Sequence, residues 1–187
     1  MNKKKTIIAA IVLLLVLLIG GAIAYFTDKT ETITNTFTVG NVDITLTEPN
    51  WVADNAKNIV PGAVVAKDPT VTVASTSADA WVFVKVEVPC VGTTPRELFA
   101  YTVEAGWTTL SDGTCAEGKA TKIYGHTASM TKNATAVLFT TVTLDANLTS
   151  EEAGTLTTIE MPVTAYAIQK DNVAGATLEV FNTYFSS

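Results

Sequence analysis

Trp81-Val82-Phe83-Val84-Lys85-Val86-Glu87-Val88 is the stretch on which the fold turns. Successive side chains of an extended chain point to opposite faces, so Val82, Val84, Val86 and Val88 share one face. The other face begins with Trp81 and Phe83 and ends with Lys85 and Glu87. The pattern predicts a strand buried on both sides where it enters the core and half exposed where it leaves. The composition agrees. The chain holds 32 threonines and many valines, β-branched residues that are stiff at χ1 and fit a pleated surface.

Working outward, Val42, Ile44 and Leu46 alternate with Asp43, Thr45 and Thr47. Upstream, Ile33, Asn35, Phe37 and Val39 form an earlier alternating run, and the step from Val39 to Val42 reverses the buried face. Gly40 therefore marks a bulge or kink between two strands. Val60-Pro61-Gly62 has Pro and Gly where a type II turn takes them. Val71–Val73, Trp107–Leu110, Ala136–Leu144 and Thr157–Ile168 read as further strands. In the last, Ile159, Met161, Val163, Ala165 and Ala167 face inward, and Pro162, having no N–H to give, places the strand at an edge or turns that nitrogen to solvent. Asp112-Gly113 reads as a hairpin turn. Thr94-Pro95-Arg96-Glu97 and Thr149-Ser150-Glu151-Glu152 read as capped helix starts. Leu178, Phe181 and Phe185 carry a faint helical period. Strands this short, with turn signals about every eight to twelve residues, predict an all-β, jelly-roll-like two-sheet β-sandwich with a few short helices.

The first residues have a different character. Lys3, Lys4 and Lys5 precede an apolar run from Ile7 to Ile19, then Gly20-Gly21 and Ala22-Ile23-Ala24. A basic start, an apolar middle and a small-x-small end make a secretory signal peptide over residues 1–24, with cleavage between Ala24 and Tyr25. An uncleaved anchor is the alternative, because Thr6–Phe26 is also long enough to span a bilayer. Both place residues 25–187 outside the membrane as one domain, touching it only transiently if the signal is cut. Beyond Ala24 lie nine of the 12 basic residues and all 18 acidic ones, a net charge of −9. That disfavours nucleic acid or anionic lipid as a partner. In an exported chain, Cys90 and Cys115 are expected to pair. By the loop-entropy model the bond contributes about 3.5 kcal/mol. Two free buried thiols are the competing state.

Catalytic residues are scarce. His126 is the single histidine, in a Tyr124–Thr127 stretch that reads as a loop. No H-E-x-x-H or G-x-S-x-G occurs. Asp145-x-Asn147-x-Thr149-x-Glu151 alternates like a calcium loop, but Ser150 and Leu156 stand where Gly and a bidentate Glu are required. Helix capping accounts for it better. Two cysteines and one histidine do not complete a tetrahedral zinc site. Neither a metal nor another cofactor is expected, and the residues predict no enzyme.

The junction Ala24-Tyr25-Phe26-Thr27-Asp28, followed by Phe37-Thr38-Val39-Gly40-Asn41-Val42-Asp43-Ile44, resembles the TasA/camelysin family of secreted Gram-positive proteins, which carry a signal cut by a SipW-type peptidase. Val60–Gly62 with Lys67–Pro69, Ile123–Phe139 and Ala165–Gln169 are also similar to members of that group. The resemblance implies a jelly-roll subunit of extracellular biofilm-matrix fibres, made by self-association and joined by accessory matrix subunits. It implies that the mature N-terminal strand, with Ile33, Phe37 and Val39 ahead of Gly40, completes the sheet of the next copy. Camelysins are also classed as metalloproteases, which makes a cell-surface protease the alternative. A membrane-anchored monomeric surface domain or adhesin is a third.

Overall fold

The computed structural model describes residues 41–156, 159–171 and 173–186. The expected signal peptide with Ala22, Ala24 and Tyr25, and the expected donor strand with Ile33, Phe37, Val39 and Gly40, lie outside them. The described part is mostly β, with antiparallel sheets curled into a half-barrel. The fold class is the expected one.

Its centre is β4 (Ala80–Val91). On one side it pairs with β11 (Val163–Gln169), from Val86↔Val163 to Ala80↔Gln169. On the other it pairs with β8 (Lys119–His126), whose far side carries β7 (Trp107–Asp112). Val82, Val84, Val86 and Val88 are fully buried in the main core, while Phe83, also fully buried, points the other way. The outer face is covered by α2 (Leu178–Phe185), which seats Phe181 and Phe185 with ring centroids 5.8 and 5.7 Å from that of Phe83. Lys85 and Glu87 lie beyond this cover and are half-buried. Thus the faint period of the C-terminal tail supplies the second burial that the strand pattern demanded. Pro162 precedes the edge strand β11, as expected, and its carbonyl accepts from Glu87 N at 3.0 Å.

Two smaller sheets close the main core. One runs β1 (Ile44–Thr47), β3 (Thr70–Val73), β9 (Thr135–Val137); the other runs β2 (Val64–Ala66), β10 (Thr141–Leu144), β6 (Phe99–Ala100). The expected single strand over Ala136–Leu144 is in fact two, in different sheets. Leu138 and Phe139 are both fully buried, and adjacent residues of one regular strand face opposite ways. The chain turns there instead, with Leu138 N bonded to Pro69 O and Lys67 N to Thr140 O. Because β2–β3 bends opposite β9–β10, one antiparallel pair spans both sheets.

The Val60–Ala63 turn forms as expected, Ala63 N reaching Val60 O at 2.9 Å with Gly62 at φ +80°. The helix α1 (Ser150–Thr155) has the expected capping box between Thr149 and Glu152. Three local expectations fail. Thr94–Glu97 starts no helix: Gly92, at φ +92°, opens a turn that returns β5 (Arg96–Glu97) against Val91 and Cys90. Glu97 then meets Lys122 Nζ at 2.8 Å, which also reaches Asp112. Asp112 ends β7, and the tight turn lies at Glu117-Gly118, where both φ are positive and Ala116 and Lys119 exchange backbone hydrogen bonds. Ile159 is 39% exposed, because β11 begins only at Val163.

Cys90 and Cys115 are disulfide-bonded, with Cα atoms 6.0 Å apart. The bond ties β4 to the β7–β8 connection and is the expected pairing. Phe181 is the buried residue of α2 and Tyr184 its exposed neighbour. Phe181→Ala should therefore destabilise by about 3 kcal/mol, whereas Tyr184→Ala should stay within about 0.5 kcal/mol of wild type. Urea denaturation of both variants checks this.

Candidate functional site: an apolar groove beside an open sheet edge

The strand β2 is three residues long and pairs only with β10, through Thr141↔Ala66, Val142↔Val65 and Thr143↔Val64. Among the described residues its other side has no strand partner. Val65 turns inward and is buried, while Val64 is 64% exposed. An unpaired edge flanked by apolar side chains is a surface proteins ordinarily blunt or cover.

Next to this edge lies a groove of about 480 Å³. Its floor is the core side of the small sheet, formed by Val65, Val142, Leu144 and Phe99. One wall comes from the β1–β2 connection, with Trp51, Ala56 and Ile59; the other from Leu148, Ala153, Leu156 and Ile159. The exposed large apolar residues of the described chain concentrate here. Trp51 and Ile159 line the groove, and Val52, Val60 and Val64 adjoin lining residues in sequence. Such a concentration marks an interaction surface more often than scattered single exposures do.

Polar contacts fix both walls. On the first, the Asn50 backbone N–H and side-chain amide donate to the two oxygens of buried Asp68, at 2.9 and 2.8 Å. Lys67 pairs with Glu48 at 2.7 Å and lies 5.4 Å from the centre of the Trp51 ring, which holds the indole at the lip. On the second, Arg96 Nε donates to Asp145 at 2.5 Å, and its two terminal nitrogens donate to the oxygens of Glu152 at 2.8 and 2.9 Å. Arg96 beside it, then the Thr149 N–H, hold the Glu152 carboxyl down to about 2. The Asn147 N–H, and then Arg96, lower that of Asp145.

These contacts decide the chemistry of the Asp145–Glu151 pattern. Asp145 receives Asn147 N and Arg96, and Thr149 caps α1. His126 does not lie in a loop; it ends β8, with Nδ1 2.7 Å from Ala128 O and its ring edge-on to Trp107. With both cysteines bridged and these carboxylates on Arg96, the donor set does not fit a zinc ion. Among the described residues, no group of three or more His, Cys, Asp or Glu is placed to hold a metal. The groove was not visible in the sequence, because its lining is spread from Trp51 to Ile159. The nearest signal was Ile59-Val60 and Val64-Val65 on either side of the turn.

Residues 1–88 match the family model described as camelysin metallo-endopeptidase. No curated protein matches the chain, and no solved structure does.

The ordinary value for Glu152 is 4.5. A folded value below it contributes stability that is complete above 4.5 and is lost as pH falls toward about 2. Glu152→Gln should therefore be less stable than wild type at pH 6, and the difference should vanish near pH 2. Urea midpoints at the two pH values measure it.

Proposed function

We propose that this chain, whose residues 1–88 are those of the TasA/camelysin family, is an exported structural subunit that polymerises by strand donation. After cleavage between Ala24 and Tyr25, residues 25–39 of one copy enter the groove along β2 of the next. The observation that carries this reading is the apolar groove beside an open edge, lined by Val65, Phe99 and Leu144. An incoming strand would meet unpaired backbone groups of β2 on one side and apolar walls on the other. Ile33, Phe37 and Val39 would each contribute about 1.5–3 kcal/mol on burial, offset by the entropy of ordering the segment. The partner is a second copy, with accessory matrix subunits joining it, and the place of work is the extracellular matrix or cell surface. Residues 25–187 act as one domain, and Gly40 lets the donor strand depart from β1.

The protease reading rests on the family description alone. The chemistry at hand speaks against it, because the cysteines are closed and, among the described residues, no further His, Cys, Asp or Glu group stands with His126 to hold a metal. Purified chain should therefore leave casein intact with or without chelator; chelator-sensitive cleavage would establish the protease. An anchored monomer would keep residues 1–24, which the intact mass of the secreted protein reveals.

Two variants test the assembly directly. A chain starting at Gly40 should fold but form no fibres by electron microscopy. Val64→Asp should fold, since Val64 is largely exposed, yet reduce fibre yield severely. Polymerisation of the truncated chain, or its failure to fold, would make the segment an ordinary internal strand.

A further inference from the structure

The second wall of the groove packs against the main core through Leu148 and Leu156, on either side of α1. No residue of α1 is buried. Ala153 faces the groove on one side. On the other, crevices of about 420 and 350 Å³ are lined by Glu152 and Thr155 together with Val91, Gly92 and the Cys90–Cys115 bond. A six-residue helix does not persist by its own hydrogen bonds, so something outside it must hold it.

Beyond those flanking leucines, the polar hold on the helix converges on one side chain. Arg96 reaches both oxygens of Glu152, the carboxylate of Asp145 and Asn147 O at 3.1 Å. A guanidinium does this because its donors form a rigid planar fork. The turn beneath is shaped to admit the pair: a Cβ on Gly92 would lie 2.6 Å from Arg96 Nη1 and 2.9 Å from Glu152 Oε1. Gly92 thus combines the positive φ of the turn with the space the ion pair occupies.

From these contacts we infer that Arg96 is the positioning residue of the groove, setting where α1 stands and therefore the width of the groove at Ala153. The role in strand binding rests on the strand-donation reading; the positioning of α1 does not.

Hydrogen exchange on the full secreted chain, kept dilute, separates the two. Arg96→Ala should speed exchange of the Ala153 and Leu156 amides by about tenfold while leaving β4 and β8 unchanged. Arg96→Lys should fall between, because an ammonium cannot grip two carboxylates as a fork. Glu152→Gln, which leaves Arg96 on Asp145, provides the same readout should Arg96→Ala not fold. A synthetic peptide of residues 29–39 serves as the probe of the groove and should leave Arg96→Ala about tenfold faster than wild type. Unchanged α1 exchange, or a rise spread evenly over β4 and β8, overturns the inference. Equal peptide dissociation from wild type and variant overturns the role in binding. Wild type that ignores the peptide, with α1 loosened as expected, overturns strand donation and leaves the positioning role standing.

Discussion

The demand of β4 for cover on both faces organises this molecule. Four valines on one side and Phe83 on the other are fully removed from water, each worth about 1.5–3 kcal/mol relative to exposure. No single sheet-on-sheet contact satisfies both. The inner face takes the two small sheets as its lid, and the outer face takes the C-terminal helix through Phe181 and Phe185. The disulfide at Cys90 then fastens the far end of the same strand.

The groove follows from how the inner lid is built. Covering a long strand with two short sheets forces the chain around a corner at Lys67–Pro69 and Leu138–Thr140. The sheet beyond that corner is narrow, with β2 reduced to three residues at its edge. Its walls come from the β1–β2 connection and from α1 with its flanks, held by ion pairs at Lys67 on one side and Arg96 on the other. A fold that spends its apolar packing on β4 leaves this site shaped by polar contacts around an apolar floor.

What could be read in the sequence and what could not divides along the range of the interactions. The alternation in β1 and β4, the Val60–Ala63 turn, the Thr149 cap and the edge position implied by Pro162 are decided by neighbours a few residues apart, and all appeared as expected. The Thr94–Glu97 expectation failed because a cap signature competed with long-range demands: pairing with Val91 and Cys90, and carboxylates 49 and 56 residues downstream of Arg96. The sheet change at Leu138-Phe139 was missed for a similar reason, since a β-rich run does not say which partner strand each half finds. The groove depends on three distant segments converging, for which no local pattern exists. The cysteine pairing was legible because there were only two.

The central claim is that the edge at β2 is completed by the N-terminal segment of another copy. It gives the exposed apolar residues around the groove a single role. The most direct measurement is a cryo-electron microscopy map of fibres grown from purified residues 25–187, at a resolution that traces side chains. The account predicts a strand carrying Ile33, Phe37 and Val39 of the neighbouring subunit alongside Val64–Ala66, over the floor of Val65 and Leu144. A map in which that segment pairs within its own subunit, or in which the subunits meet through another face, would contradict it.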